Sequence, residues 1–257
     1  MRVAAMQMRA RAGDQGANLV LIEEAANKAA KEGAELLIAP ELALPGYGAG
    51  DAMRHLAEPP GGEMVARLAK VSLDAGIAII AGFAEAAEGC SYNSAVFVDG
   101  KKTPVVYRKS HLYGDYERGL FEAAEPSACI VEHGGLRIGI LICYDVEFPE
   151  NVRRLARAGA QLVAAPTALP ASDHAEFIAR KMIPVRAFEN QMFVAYVNHC
   201  GTDGRFAYAG LSTIAAPDGS LLAAADGTSE ALLVADLRPE DFAASAQVNP
   251  YLRDLRV

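Results

Sequence analysis

Short apolar segments alternate with helical segments in the first half of the chain, and this order restricts the fold more than any other feature. The pattern predicts strands at residues 3–8, 36–39 and 77–83, with helices at residues 18–32 and 63–75 between them. A strand–helix–strand–helix–strand order is typical of a largely parallel sheet covered by helices. The first half of the chain therefore predicts an α/β fold.

The rest of the chain combines hairpins with further alternation. Asp99-Gly100 is a hairpin turn signal between strand-like segments at residues 92–98 and 103–107. The remaining predicted elements are strand 139–142, helix 149–158, strand 162–165, helix 175–190, strand 193–198, two strands flanking Asp218-Gly219, and strand 230–234. No linker, low-complexity tract or repeat divides the chain. We therefore expect one domain over residues 1–257, with a tail from about residue 235 available for contacts in an oligomer.

Charge and hydropathy argue against several kinds of partner. The formal net charge is −8, whereas binding to nucleic-acid phosphates needs clustered Lys and Arg. No apolar run approaches the ~18 residues of a membrane span. Gln7, Arg9 and Arg11 interrupt the amino terminus before a signal-peptide core could form. We expect neither a nucleic-acid nor a membrane partner, and no secretion.

The cysteines have no metal-ligand spacing. They are scattered and lack any Cys-x-x-Cys pair; the four are Cys90, Cys129, Cys143 and Cys200. This usage predicts reduced thiols in a cytoplasmic protein.

Cys143 differs from the other three because of where it stands. It directly follows the apolar segment 139–142, and Pro149 with Glu150 suits the first turn of a helix just beyond. A free cysteine is usually a small core residue. Open α/β sheets, however, bind their ligands at the carboxyl ends of strands. The position leaves two interpretations open, core filling or nucleophile.

Two further segments place polar residues after apolar strands. Glu41 follows strand 36–39 and Pro40, and Lys109 ends strand 103–107 with Glu117 in the loop beyond. Each residue alone would most often be a solvated surface group. Together with a thiol they form a coherent set, because an ammonium lowers a thiol pKa and a carboxylate can accept the thiol proton.

A cysteine–histidine arrangement is the alternative within the same chemistry. The chain has five histidines, and only His111 lies near a predicted strand edge. No sequence feature pairs His111 with an orienting carboxylate. The lysine–glutamate arrangement is therefore favoured.

Three segments, in this order along the chain, resemble the motifs of the nitrilase superfamily of carbon–nitrogen hydrolases. They are ELALPGY (41–47), YRKSHLYGDYE (107–117) and ICYDVEFPE (142–150), and RAFENQ (186–191) resembles a helical segment of the same family. The resemblance implies a four-layer α-β-β-α sandwich with mixed parallel and antiparallel sheets. It also implies homodimers or larger homo-oligomers.

The same resemblance implies roles for the polar residues. Glu41 would be the general base, Lys109 the cation at the oxyanion and Cys143 the nucleophile. Glu117 would hold Lys109 and the substrate in place. We expect the backbone N–H of Tyr144 to be a second donor to the oxyanion.

The residues after Cys143 help to select a reaction within the family. Its nitrilase branch typically has Trp-Glu at this point, whereas this chain has Tyr144-Asp145 and no tryptophan. We therefore expect hydrolysis of a small aliphatic or amino-acid amide to acid and ammonia through a cysteine thioester. The alternatives are an N-carbamoyl amidohydrolase or a nitrilase, and beyond these an acyltransferase or a binding protein without catalysis.

Substrate contacts are predicted on loops that follow strand ends. The expected cavity walls are Tyr47, Tyr113, Tyr144 and the loop 166–173 with Ala168. Asp115 and Asp173 are candidates for recognising a cationic amine. Asp173 has a second interpretation, since with Glu176 it would cap the helix 175–190, which Pro184 should kink.

No cofactor or metal is expected. GYGAGD (46–51) has Asp51 where a dinucleotide fingerprint needs its last glycine. His174-Ala175-Glu176 lacks the Cys-x-x-Cys of a zinc deaminase. His199 and Cys200 would point to opposite faces of a strand.

Overall fold

Two six-stranded mixed sheets form the frame of the protein in the computed structural model, which describes residues 1–256. From edge to edge, the first sheet contains β14 (Ala231–Asp236), β1 (Arg2–Gln7), β2 (Leu36–Ile38), β3 (Ala78–Ala87), β4 (Cys90–Val98) and β5 (Val105–Arg108). The second contains β13 (Leu221–Ala224), β12 (Thr213–Ala215), β9 (Phe193–Asn198), β8 (Leu162–Thr167), β7 (Leu136–Ile140) and β6 (Ile130–His133). A separate pair consists of β10 (Cys200–Thr202) and β11 (Ala207–Ala209).

Parallel pairing is confined to three adjacent strands in each sheet. These are β1, β2 and β3 in one sheet and β7, β8 and β9 in the other. The other strands pair antiparallel, because hairpins add β4 and β5 to one sheet and β13 and β6 to the other. The parallel sheet predicted from the first half of the chain is present as β1, β2 and β3, and the antiparallel strands complete the mixed sheets implied by the family resemblance.

Helices cover the outer face of each sheet. The first sheet packs on α1 (Gln15–Lys31) and α3 (Glu63–Ala75) through an apolar core that includes Leu19, Leu37 and Leu68. The second sheet packs on α5 (Pro149–Arg157) and α7 (Ile183–Asn190). The apolar residues of this layer are continuous with those between the two sheets and form a second core with them. This order of layers confirms the α-β-β-α sandwich.

The remaining helices are short. They are α2 (Met53–Leu56), α4 (Gly114–Leu120), α6 (Ala175–Phe177), α8 (Ala243–Val248) and α9 (Tyr251–Asp254), with 3₁₀ segments at Tyr47–Ala52, which is kinked at Gly50, and at Cys143–Glu147 and Pro239–Phe242. Within residues 1–256, no helix has the length and apolar character needed to cross a membrane.

The predicted helix 175–190 consists of three consecutive segments. A π-helical stretch, Ile178–Met182, separates α6 from α7 and ends two residues before Pro184. Proline has no N–H and its ring crowds the carbonyl four residues back, so the wider π turn accommodates it. The predicted Asp173 cap was wrong, because no side chain caps this helix and the Ala175 N–H instead donates to the Ser172 carbonyl at 3.1 Å.

Candidate active site

Four polar side chains that were singled out in the sequence meet in one buried cluster. Glu41 lies just beyond β2, Lys109 just beyond β5, Cys143 just beyond β7, and Glu117 lies on α4. Their relative exposures are 1% for Glu41, 0% for Lys109 and Glu117, and 6% for Cys143. The topology therefore brings strand ends from both sheets to one site.

The turn that carries Glu41 is fixed by its contact with β3. The Ala39 N–H donates to the Ile80 carbonyl at 2.8 Å, and the Gly82 N–H donates to the Pro40 carbonyl at 3.0 Å. A Cβ atom on Gly82 would lie 2.0 Å from the Leu42 nitrogen. Only glycine permits this approach of β3 to the Glu41 turn.

We expect Gly82→Ala to lower the free energy of unfolding by about 2–3 kcal/mol, because the added methyl forces two backbones apart. Urea unfolding measures this change. Gly119→Ala is the matched control, since a Cβ at Gly119 would meet no atom within 4 Å. A loss of stability in Gly119→Ala equal to that in Gly82→Ala would contradict the explanation.

Lys109 links the two glutamates. Its Nζ donates to Glu41 Oε1 at 2.6 Å and to Glu117 Oε1 and Oε2 at 2.7 and 2.8 Å. Glu117 also accepts the Tyr47 hydroxyl at 2.8 Å and the Tyr113 N–H at 2.9 Å. Glu41 Oε2, by contrast, has no hydrogen-bond partner among the described residues. One oxygen of Glu41 is therefore held while the other remains available to a reacting group.

Asn93 is a functional candidate that the sequence interpretation missed. It lies on β4, fully buried, and its Nδ2 donates to Glu41 Oε1 at 2.7 Å. Its backbone carbonyl accepts the backbone N–H of Lys109 at 2.9 Å. Asn93 thus orients both the glutamate and the lysine, and we interpret it as a positioning residue.

Burial and charge together raise the pKa values of both Glu41 and Lys109. Burial and the Glu117 charge raise the pKa of Glu41 to about 7, although Lys109 and Asn93 act to lower it. Burial would lower the pKa of Lys109, but Glu117 and Glu41 hold it well above its ordinary value. The site thus combines a permanent cation with a carboxyl group that titrates near neutrality, as a general base should.

Removing Asn93 should move the titration of Glu41. Its hydrogen bond stabilises the ionised carboxylate, so Asn93→Ala should raise the pKa of Glu41 above 7. We expect kcat/KM to fall about tenfold and its acidic limb to move to higher pH. The pH profile of amide hydrolysis measures both effects. Asn190→Ala removes a buried hydrogen bond to the Arg186 carbonyl instead, and a similar shift in that variant would refute the assignment.

Cys143 stands on a strained turn. Its φ angle is +46°, which is unusual for a residue other than glycine, and it begins the 3₁₀ helix Cys143–Glu147. The Asp145 carboxylate stabilises this turn by accepting the Ile142 N–H at 3.2 Å and the Tyr107 hydroxyl at 2.9 Å. The N–H of Tyr144 lies in the first turn of the helix, where the helix itself provides no acceptor. A negatively charged oxygen near Cys143 can therefore be bound by this N–H.

The surroundings of Cys143 favour the protonated thiol. Burial and the Glu41 charge raise the pKa of Cys143 well above its ordinary value, while Lys109 and the Ala168 N–H act to lower it. The carboxyl of Glu41 is the neighbouring group whose pKa suits proton acceptance near neutrality.

His111 has a carboxylate partner that no sequence feature indicated. Its Nδ1 lies 3.0 Å from Asp145 Oδ1, and its ring stacks on Phe148 at a centroid distance of 3.9 Å. The charged groups that act on Cys143 are nevertheless Glu41, Lys109 and Glu117. These contacts assign His111 to the support of the Asp145 turn.

His199 also supports the site. Its Nε2 donates to the Glu41 carbonyl at 2.7 Å, and burial lowers its pKa to about 4. The neutral ring therefore fixes the backbone of Glu41 without adding charge.

A cavity of about 200 Å³ opens above Cys143. This is smaller than the roughly 300–1,000 Å³ of sites for drug-sized ligands. The lining residues are Tyr113, Cys143, Tyr144, Glu147, Leu169, Pro170, Ser172, His174 and Ile178. The cavity is thus suited to a small molecule with an apolar portion.

The predicted substrate contacts fall into three groups. Tyr113 and Tyr144 line the cavity. Tyr47 and Ala168 are buried beneath it, where they contact Glu117 and Cys143 respectively. Asp115 and Asp173 do not line it, because Asp115 is fully exposed beside Arg118 and Asp173 is exposed on its loop. Glu147, which the sequence interpretation did not select, lies in the wall instead.

No group of three or more His, Cys, Asp or Glu side chains within residues 1–256 is arranged to hold a metal ion. All four cysteines are free, with Cys143 and Cys200 buried and Cys90 and Cys129 partly buried. The arrangement at the cavity is therefore that of a thiol, a base and a cation supplied by the chain itself.

The chain is similar to proteins of a known family. A family model described as carbon-nitrogen hydrolase matches residues 2–247. The chain is 42% identical to a hydrolase encoded in the pqqF 5′ region of Pseudomonas protegens, covering 100% of this chain and 89% of that protein. It is 33% identical to an (R)-stereoselective amidase from Pseudomonas sp., covering 100% and 92%.

Solved structures show the same fold. The NitN amidase from Nesterenkonia sp. AN1 superposes with a TM-score of 0.88 at 35% identity, covering 100% of this chain and 96% of that one. A structure of a mutant of that amidase shows the result of Michael addition of acrylamide at its active-site cysteine, with a TM-score of 0.87 at 34% identity and coverage of 100% and 96%.

Proposed function

We propose that this chain, which belongs to the carbon–nitrogen hydrolase family and is an amidase, hydrolyses small aliphatic or amino-acid amides through a thioester on Cys143. The observation that carries the proposal is the buried Glu41–Lys109–Glu117 cluster beside Cys143, in which Glu41 has one free oxygen and a pKa of about 7. The products are a carboxylic acid and ammonia.

The first half-reaction forms the thioester. Glu41 accepts the Cys143 proton while the sulfur attacks the amide carbon, and the carbonyl oxygen becomes negatively charged. The Tyr144 N–H donates to this oxygen. Before the reaction, Lys109 donates hydrogen bonds to both Glu41 and Glu117. Protonation of Glu41 weakens the hydrogen bond between Lys109 and Glu41. A Lys109 N–H then becomes available to the oxyanion as its charge develops.

Acylation ends when protonated Glu41 gives its proton to the departing ammonia as the C–N bond breaks, which leaves the thioester on Cys143 and regenerates the carboxylate. The second half-reaction then releases the acid. Water then attacks the thioester carbon, and Glu41 accepts the water proton and returns it to the Cys143 sulfur. Glu117 positions Lys109 throughout, because its two carboxylate oxygens both accept hydrogen bonds from the Lys109 ammonium. No metal or cofactor is needed for these steps.

Ammonia release from a panel of small amides tests the proposal. The panel contains aliphatic amides, amino-acid amides, N-carbamoyl compounds and nitriles, each assayed for ammonia and for acid. We expect amides to give both products in equal amounts. No release from any amide would refute the proposed function, and ammonia in excess of acid when an amine or thiol is added would favour an acyltransferase.

We expect amides to be hydrolysed at least about 100-fold faster than the matching nitriles, since the Tyr144-Asp145 sequence favours the amidase branch. Propionamide and propionitrile, compared by kcat/KM for acid formation, measure the ratio. Equal or faster turnover of the nitrile would mean that the reaction assignment is wrong.

The cellular setting remains a prediction. We propose a cytoplasmic protein that forms homodimers or larger homo-oligomers, as the family resemblance implies. Size-exclusion chromatography with light scattering would measure the oligomeric state.

A further inference from the structure

Glu147 is a charged side chain in the cavity wall that the proposed cycle does not use. It ends the 3₁₀ helix that begins with Cys143, so the nucleophile and this carboxylate lie on one short element. Among the nine described residues that line the cavity, Glu147 is the only carboxylate. Asp115 and Asp173, the acidic residues expected here from the sequence, are both outside the wall.

The Glu147 carboxylate has no partner of its own. None of the side chains in the described part of the chain forms a hydrogen bond or ion pair with it. The nearby Arg186 has other partners. It donates to the backbone carbonyls of Val146 at 3.0 Å and of Glu147 at 2.6 Å, and it forms an ion pair with Glu189 at 3.0 Å. The cavity wall thus presents an unpaired negative charge to whatever enters.

A partly buried carboxylate without a partner has lost part of its hydration, and no hydrogen bond or ion pair compensates for this loss. Burial accordingly raises the pKa of Glu147, although the charges of Lys109 and Arg186 oppose the shift. A ligand ammonium beside this carboxylate would replace the lost hydration with a charge-assisted hydrogen bond. Tyr113 and Tyr144 line the same wall, and aromatic rings can also interact favourably with a cation.

We propose that Glu147 binds an ammonium group on the substrate, so that the preferred substrates are small primary amides that carry an amine. This proposal rests on the proposed amidase function. Cys143 and Glu147 are four residues apart in a 3₁₀ helix, and at 2.0 Å per residue their backbones are separated by roughly 8 Å. Within a cavity of about 200 Å³, that separation suits an amino-acid amide with the amine a few bonds from the carbonyl carbon.

Isosteric substrate pairs test the proposal on the unmodified enzyme. Alaninamide and isobutyramide differ only by ammonium for methyl, and β-alaninamide and butyramide form a second pair with the amine one bond further away. At about pH 7 the amines are largely charged. We expect kcat/KM to favour the cationic member of at least one pair by about 10- to 100-fold, the effect of one hydrogen bond to a charged group.

Glu147→Gln should remove this preference selectively. The substitution keeps the size of the side chain but not its charge, so kcat/KM for the cationic amides should fall by about 10- to 100-fold. Hydrolysis of the neutral amides should be unchanged or faster. Asp173→Asn is the matched control, because it removes an exposed acidic charge close to the cavity without altering the wall, and it should preserve the preference.

The outcomes separate this proposal from the one on which it rests. If kcat/KM for isobutyramide and butyramide equals that for their cationic partners, the amidase function stands and the ammonium site is refuted. An equal loss on both members of a pair in Glu147→Gln would also refute it, since Glu147 would then support the fold or the chemistry. Absence of turnover with every amide would instead refute the proposed function.

Discussion

Cys143→Ala should reduce amide turnover by at least ~10⁴-fold, because no thioester can form without the thiol. The fold should persist. Alanine keeps the Cβ atom and is no more strained than cysteine at a φ angle of +46°. The free energy of unfolding should therefore change by only about 1 kcal/mol. Ammonia release and urea unfolding measure the two quantities.

The thioester itself offers a more direct observation. Rapid acid quenching with a good amide substrate, followed by intact-protein and peptide mass spectrometry, should show the acyl group on Cys143. Cys129→Ala is the matched control, because Cys129 is a partly buried thiol whose pKa is raised to about 11 by burial alone. That variant should retain turnover. An adduct on Cys90, Cys129 or Cys200, or unfolding of Cys143→Ala, would return Cys143 to a core-filling role.

The position of the cluster was predictable because it depends on strand ends. Glu41, Lys109 and Cys143 each follow an apolar segment, and parallel strands of a sandwich present their carboxyl ends at one edge. The local sequence therefore contained both the residue types and their approximate location. The family resemblance added their expected roles.

Residues whose function depends on neighbouring strands could not be predicted in the same way. Asn93 lies within β4, and nothing in its local sequence distinguishes it from other buried polar residues of a strand. It contacts Lys109 at the end of the neighbouring strand β5 and Glu41 in the turn that packs on β3. The hairpin between β3 and β4 was also missed, because its turn uses Glu88 at a φ angle of +57°, a conformation that a glutamate rarely adopts.

Asp173 and Glu147 show how a local signal can mislead. Asp173 was selected because it precedes a helix and belongs to a loop after a strand, yet it is exposed and caps nothing. Glu147 precedes Phe148-Pro149 and resembles an ordinary polar residue before a helix. Glu147 lies in the cavity wall and Cys143, at the start of the same 3₁₀ helix, has a φ angle of +46°. A backbone torsion of this kind cannot be inferred from a single sequence.

The two glutamates of the cluster should respond differently to the same substitution. The glutamine of Glu41→Gln can still accept hydrogen bonds from Lys109 and Asn93, but it cannot accept a proton. Acylation and deacylation should both slow, giving a ~10²–10⁴-fold loss in kcat. In the unmodified enzyme, activity should rise with pH through about 7 as Glu41 ionises. Glu41→Gln should lose this rise.

Glu117→Gln should retain the rise in activity but displace it. The negative charge of Glu117 raises the pKa of Glu41, so its removal should move the inflection to a pH below about 7. Turnover should also fall, because Lys109 and the hydroxyl of Tyr47 lose a charged acceptor and small errors in attack geometry are costly. Alkylation of Cys143 by iodoacetamide should persist in this variant.

The pH dependence of Cys143 alkylation, measured beside ammonia release in both variants, distinguishes the two roles. The Glu41 charge raises the pKa of Cys143, so Glu41→Gln should move the alkylation profile of the thiol to lower pH while turnover is lost. A positioning residue should leave alkylation nearly unchanged while turnover falls. If Glu41→Gln keeps near-normal turnover, or if Glu117→Gln alone abolishes the pH-dependent rise, the two roles are assigned the wrong way round.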